Sequence, residues 1–69
     1  KNELKILYYL FKNAGKICPR SDIVDFLWDN QLYVDDNALS VNINRIREKL
    51  AGIGLTDFIK TKHRQGYTI

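Results

Sequence analysis

The strongest constraint in the sequence is an apolar stripe that repeats with helical spacing over residues 37–50. Leu39, Ile43, Ile46 and Leu50 are separated by four, three and four residues, which places them on one face of an amphipathic helix. The opposite face is rich in Asn and Arg instead of the Glu–Lys pairs of an ordinary solvated helix. Because the forked ends of Asn and Arg match adenine and guanine edges, this face predicts contact with DNA bases. The stripe alone leaves an ordinary packing helix as the alternative.

The charge distribution separates the middle of the chain from its two ends. The 69 residues are enough for one domain, residues 1–69, with a net charge of +3. Residues 1–18 carry +3, residues 19–41 carry −4 and residues 42–69 carry +4. Positive charge therefore collects on the helix over residues 37–50 and on the C-terminal tail, and a polyanion would meet those two elements first.

The sequence lacks the residues that catalysis, metal binding and membrane insertion would need. Cys18 is the only cysteine, so neither an intrachain disulfide nor a Cys/His zinc set is available, and a small buried hydrophobe is expected there. His63 is the only histidine and has no carboxylate beside it in sequence. No apolar run approaches the roughly 20 residues of a membrane span. We therefore predict a chain that is not an enzyme and has no metal, no cofactor and no membrane partner.

Two further helices are predicted before residue 37. The predicted apolar face of the first consists of Leu4, Leu7, Tyr8, Leu10 and Phe11, with Gly15 placed to end the helix. The second runs near residues 20–28, with Pro19 in its first turn and a predicted buried side of Ile23, Val24, Leu27 and Trp28. Residues 29–36 form a polar loop, after which Asp35 or Asp36 is expected to cap the next helix.

The last residues change from helical to strand character. Residues 58–62 are rich in β-branched and aromatic side chains, Gly66 is the expected site of positive φ in the turn, and residues 67–69 return. The element order predicts a mainly α fold with a C-terminal β-hairpin, which is a winged helix-turn-helix of three helices plus a wing. The candidate wing contacts are Lys60, Lys62, His63 and Arg64, and a solvated hairpin tip is the alternative.

Three stretches carry one family pattern. Residues 28–50 contain a Trp, a loop, an aromatic-Val-Asp-Asp turn and a helix of the form Val-x-Ile-x-Arg-Ile-Arg-x-Lys-Leu. Residues 59–67 are similar to a Thr-x-Arg-Gly-x-Gly-Tyr wing, and residues 3–7 to a Glu-x-x-Leu-Leu helix start. Together they cover nearly the whole chain and resemble the C-terminal effector domain of OmpR/PhoB-type response regulators.

This resemblance implies roles for the matching side chains. Base contacts would come from Arg45, Asn44, Val41 and Asn37, with Arg45 as the main reader. Phosphate contacts would come from Arg47, Asn42, Trp28 and Thr61, while the wing would bring a cation to the minor groove. In the wing, His63 stands where the pattern has Arg, and Arg64 stands where it has Gly, so the turn is expected to differ.

The resemblance also implies a wider context. We expect residues 1–69 to be the DNA-binding fragment of a longer, cytoplasmic, bacterial two-component regulator, without the family's N-terminal sheet and receiver domain. The implied partners are double-stranded DNA with direct-repeat half-sites, a second copy of the activated regulator, a sensor histidine kinase acting on the receiver domain, and RNA polymerase facing residues 29–36. Two alternatives stay open. One is a winged-helix module for protein contact, indicated by Leu32-Tyr33-Val34 and the acidic middle segment, and the other is a structural helical domain without a ligand.

Overall fold

Three helices are followed by a two-stranded hairpin in the computed structural model, which describes residues 2–69. The elements are α1 (Asn2–Lys12), α2 (Arg20–Asp29), α3 (Asp36–Ala51), β1 (Lys60–Lys62) and β2 (Gly66–Thr68). The strands are antiparallel, with Thr61 opposite Tyr67. This order confirms the predicted three helices plus wing, and within residues 2–69 no helix is both long and apolar enough to cross a bilayer.

At the centre of the core, each helix contributes one pair of fully buried side chains that are four residues apart. The fully buried side chains are Ile6 and Leu10 of α1, Ile23 and Leu27 of α2, and Leu39 and Ile43 of α3. Positions i and i+4 lie one above the other on a helix face. Each pair therefore packs on one face of its helix, toward the other two helices. Each such side chain stabilises the fold by about 1.5–3 kcal/mol.

The predicted apolar face of α1 is correct for Leu10, which is buried, and wrong for three of its other members. Leu4 is 69% exposed, and Tyr8 and Phe11 are exposed as well, whereas Ile6 is fully buried. Tyr9, expected to lean outward, instead stacks on Phe26 of α2 at 4.8 Å between ring centroids. Because apolar residues occupy every position from 6 to 11, spacing within that run does not define which of them are buried.

The predicted buried side of α2 is correct for Ile23 and Leu27 but wrong for Trp28. The Trp28 side chain is 53% exposed. Its indole N–H donates to the Val34 carbonyl at 3.0 Å, so the ring covers the loop after α2 instead of entering the core. A polar handle on a large ring favours this half-buried position.

The α3 prediction is confirmed. Leu39, Ile43 and Ile46 are buried and Leu50 is half-buried. Asp35 is the N-cap, and its carboxylate accepts from the Ala38 N–H at 2.7 Å. Such a cap contributes about 1 kcal/mol and defines where the helix begins.

The connector between α1 and α2 pairs with the hairpin, a contact that the sequence did not indicate. The Cys18 N–H donates to the Tyr67 carbonyl at 2.7 Å, and the Tyr67 N–H donates to the Cys18 carbonyl at 3.0 Å. Cys18 is buried as expected, and desolvation raises the pKa of its thiol. The thiol therefore stays neutral and behaves as a small apolar group.

Gly66 is the position where the hairpin and the connector come closest. Its φ of 147° confirms the expected positive value. A Cβ added there would lie 2.0 Å from the Cys18 carbonyl oxygen. The first strand is shorter than predicted, because β1 begins only at Lys60, and the second begins at Gly66, one residue earlier than predicted.

We predict that Gly66→Ala destabilises the fold strongly. The added methyl must displace the Cys18 backbone and also occupy a φ region that alanine disfavours, so the expected loss is about 3 kcal/mol or more. Urea unfolding followed by circular dichroism measures it.

Gly15→Ala is the matched control. Gly15 also has a positive φ, 85°, but nothing lies within 4 Å of the place that its added methyl would occupy. Only the conformational cost of about 1 kcal/mol remains there. Equal losses for the two variants would show that the close approach to Cys18 does not limit the residue at position 66.

Candidate nucleic-acid interface

The outer face of α3 carries the four predicted base-contacting residues together. Asn37, Val41, Asn44 and Arg45 are all exposed, and Glu48 shares the same face. At about 100° per residue these positions lie opposite the buried stripe of Leu39, Ile43 and Ile46. Val41, the aliphatic member of this face, is 48% exposed.

Arg45 lies at the edge of this face beside the start of α1. It lines a shallow concavity with Asn2, Glu3 and Asn42. The Glu3 carboxylate accepts a hydrogen bond from Lys49, and that bond, together with the charges of Lys49 and Arg45, lowers the pKa of Glu3. A carboxylate that Lys49 already neutralises leaves the Arg45 guanidinium available to an outside acceptor.

Arg47 joins α3 to the hairpin. Its Nε and Nη2 donate to the Ile59 carbonyl at 3.1 and 2.9 Å, and Nη2 also donates to Thr61 Oγ1 at 2.7 Å. Arg47 and Thr61, both predicted to contact phosphate, are thus brought together. The Thr61 hydroxyl accepts from Arg47 and keeps its own proton for another acceptor.

The other two predicted phosphate-contacting residues are engaged inside the protein. Asn42 is 8% exposed and donates from Nδ2 to the Ala38 carbonyl at 2.9 Å. Trp28, in the last turn of α2, donates its indole N–H to the Val34 carbonyl. The structure does not bring these two together with the Arg47–Thr61 pair.

The wing presents four candidate contacts at its turn and first strand. Lys60, Lys62, His63 and Arg64 are exposed, and Gln65 N–H closes the turn on the Lys62 carbonyl at 2.9 Å. Arg64, which occupies the family's Gly position, adopts the left-handed conformation with φ of 60°. The turn therefore keeps a left-handed residue there, at a conformational cost for a side chain with a Cβ.

Arg20 is a site residue that the sequence analysis missed. Its guanidinium donates to the Tyr67 hydroxyl, the Asp36 carbonyl and Ser40 Oγ. The partners lie up to 47 positions away in sequence. One signal was present, since a cation in the first turn of a helix opposes the helix dipole and so suggests a partner elsewhere.

A second surface lies between α2 and the start of α3. The Trp28 and Tyr33 rings meet edge to face at 5.0 Å and 81°, and Tyr33 is 67% exposed. Asp25, Asp29 and Asp35 line the same groove. This acidic groove is separate from the cations of the wing and would suit a partner that combines apolar and basic groups.

Metal chemistry finds no support in the part of the chain that the structure covers. Among residues 2–69, no group of three or more His, Cys, Asp or Glu side chains is placed to hold a metal ion.

Comparison with known proteins gives one consistent set of matches. Residues 1–69 match the family described as transcriptional regulatory protein, C terminal. The response regulator protein GraR of Staphylococcus saprophyticus is 45% identical over 67 residues, which are 97% of this chain and 30% of that protein. The sensory transduction protein BceR of Halalkalibacterium halodurans is 43% identical over 67 residues, 97% of this chain and 29% of its own length.

A solved structure agrees with them. The C-terminal domain of the nisin resistance regulator NsrR, a lantibiotic response regulator, superposes with a TM-score of 0.89 at 34% identity. The match covers 97% of this chain and 68% of that one.

We predict that Arg64→Gly makes the fold more stable and its DNA binding weaker. Glycine removes the left-handed penalty, so the free energy of unfolding should rise by about 0.5–1 kcal/mol. The loss of a wing cation should lower affinity for duplex DNA at the same time. Urea unfolding and fluorescence anisotropy measure the two effects.

Gln31→Gly is the control, because Gln31 also has a left-handed φ, 64°, but is neutral and lies in the loop after α2. It should gain similar stability without a change in affinity. If Arg64→Gly left affinity unchanged, Arg64 would not be a wing contact.

Proposed function

The chain belongs to the family of C-terminal domains of transcriptional regulatory proteins, and from that premise we propose that it binds double-stranded DNA in a sequence-specific manner. The observation that carries the proposal is the exposed face of Asn37, Val41, Asn44 and Arg45 on one helix, with a basic hairpin beside it. In this arrangement α3 enters the major groove and the hairpin follows the backbone toward the minor groove.

Family membership confirms the resemblance noted in the sequence. The relatives are response regulators and sensory transduction proteins, which agrees with a bacterial two-component setting and with a chain that is not an enzyme. The chain spans about 30% of the length of these relatives, so statements about the whole regulator are proposals.

The proposed base contacts follow from side-chain chemistry. Arg45 would donate two parallel hydrogen bonds to guanine O6 and N7, and the amides of Asn44 and Asn37 suit adenine N6 and N7. Val41 would pack against a thymine methyl, which accounts for an exposed aliphatic side chain on a polar face.

The proposed phosphate contacts centre on the joint between α3 and β1. Arg47 has Nη1 left to donate, and Thr61 has its hydroxyl proton, so the pair can hold one phosphate at a fixed distance from α3. Asn42 keeps a second amide proton, although little of its side chain is exposed. Trp28 already donates its one N–H to the Val34 carbonyl, so it has no donor left for a phosphate.

The wing supplies the remaining positive charge. Lys60, Lys62 and Arg64 are exposed, and a cation at the turn can enter a narrow minor groove, where the negative potential is greatest. His63 adds a ring nitrogen that can donate to a backbone oxygen.

For the full-length regulator we propose the family's wider arrangement. A sensor histidine kinase would control phosphorylation of the receiver domain, and the phosphorylated regulator would form a homodimer in the cytoplasm. The two effector domains would then bind direct-repeat half-sites about one helical turn apart. The acidic groove of Trp28, Tyr33, Asp25, Asp29 and Asp35 would face RNA polymerase, because DNA binding leaves it free.

We predict that Arg45→Ala relaxes specificity at one base pair. Loss of the bidentate contact should cost about 1–3 kcal/mol for the preferred site and much less for a site changed at that base pair. Selection of bound sequences from a random duplex pool identifies the site. Anisotropy titrations of the wild-type chain and of Arg45→Ala then measure the loss of affinity.

Lys12→Ala is the matched control, since Lys12 lies at the opposite end of α1 from the concavity that Arg45 lines. It removes the same charge and should leave specificity intact. A uniform loss for all sequences in Arg45→Ala would make Arg45 a phosphate contact and overturn its assignment as a base reader.

A winged-helix module for protein contact is the second candidate, favoured by the exposed Trp28–Tyr33 pair in the acidic groove. The two candidates differ in their response to random duplex at low salt. We predict retardation in a gel and a log–log salt slope near −5 if about six phosphates are contacted. A complete absence of retardation would favour the protein-contact module.

A further inference from the structure

The Arg20 guanidinium lies where α2, α3 and the hairpin meet. Its Nη1 donates to the Tyr67 hydroxyl at 2.5 Å, and Nη2 donates to the Asp36 carbonyl at 2.6 Å and to Ser40 Oγ at 2.9 Å. One side chain at the start of α2 thus holds the first two turns of α3 and the second strand of the hairpin.

Two cations lie near the ring of Tyr67. The Arg20 guanidinium carbon is 5.5 Å from the centroid of the ring, and that of Arg47 is 5.7 Å from it. Arg47 in turn donates to Ile59, just before β1, and to Thr61, within β1. We call Arg20, Tyr67 and Arg47 the Tyr67 clamp.

The Tyr67 clamp joins α3 to the hairpin at two separate points. Arg20 acts at the beginning of α3, through Asp36 and Ser40, and Arg47 acts three turns later. Two attachments along one helix restrict its rotation and tilt relative to the hairpin, whereas one attachment would leave it free to pivot.

An arginine at position 20 has a cost that its contacts must offset. Arg20 is in the first turn of α2, where the helix dipole favours negative charge, and it shares one ring with a second cation. A planar guanidinium can donate to three acceptors lying in different directions, which a lysine ammonium on a flexible stem does less rigidly.

We propose that Arg20 is a positioning residue for DNA recognition, which sets the angle between α3 and the wing so that both reach the same duplex. This inference rests on the proposed DNA binding. It assigns Arg20 no contact with a base. Its effect is on the geometry in which α3 and the wing bind together.

Arg20→Lys tests the proposal because it keeps the charge and loses the planar fork. We expect a cooperatively folded variant whose affinity for random duplex and salt slope match those of the wild-type chain. Its ratio of specific to non-specific affinity should fall about tenfold, since a misplaced α3 loses base contacts but keeps general attraction to phosphate. Tyr67→Phe, which removes the hydroxyl and keeps the ring, should lower the ratio by a smaller factor.

A double-mutant cycle separates positioning from independent contact. Lys62→Ala should lower specific affinity in the wild-type chain and have a clearly smaller effect in Arg20→Lys, where the wing and α3 no longer engage together. Additive losses for Lys62 and Arg20 would indicate independent contributions and would overturn the proposal.

Three further results separate the explanations. If Arg20 were a phosphate contact, Arg20→Ala would reduce the salt slope by about one, and Arg20→Lys would not reduce it. The specificity ratio would be unchanged in both variants. A lower free energy of unfolding with an unchanged ratio would make it a purely structural residue, and either result overturns the positioning role. If the wild-type chain itself selected no sequence from a random pool, the proposed function would fail first, and the positioning role with it.

Discussion

The structure depends on the backbone pairing of Tyr67 with Cys18. Their two hydrogen bonds, of 2.7 and 3.0 Å, attach the C-terminal hairpin to the connector between α1 and α2. Two strands of three residues each have almost no stability of their own in water, so this attachment supplies what the hairpin lacks. Only glycine fits at position 66, because the Cys18 carbonyl oxygen occupies the place of a Cβ. The geometry of the wing is therefore determined by a segment almost fifty residues earlier in the chain.

That attachment also places the hairpin against α3. The guanidinium groups of Arg20 and Arg47 both lie near the Tyr67 ring, and Arg47 also donates from α3 to Ile59 and Thr61. The wing cations Lys62 and Arg64 then line one concavity with Arg20, while the acidic side chains around Trp28 line another. A surface that attracts a polyanion and a groove that would repel it are thus built from neighbouring elements of the same small fold.

Sequence patterns predicted correctly the elements whose buried and exposed sides are both defined by residue spacing. The α3 stripe alternates with a polar face over four turns, so both its buried and its exposed side followed from spacing. In α1 the apolar residues run without a break from position 6 to position 11, and which of them are buried depends on what packs on the helix, as the Tyr9–Phe26 stack shows. Trp28 was predicted to be buried, but its ring lies over the loop because its N–H donates to a loop carbonyl. Arg20 and the Cys18–Tyr67 pairing were missed because both depend on contacts between residues far apart in sequence.

The placement of arginines argues against a purely structural helical domain. Arg20 opposes the dipole of α2, and Arg64 adopts a left-handed conformation. Both arrangements lower stability slightly in a fold whose core is small. A chain optimised only for folding would carry Gly at position 64 and an acidic residue at position 20. The two arginines instead lie at the wing and at the joint between α2, α3 and the hairpin, so the cost is concentrated where a polyanion would bind.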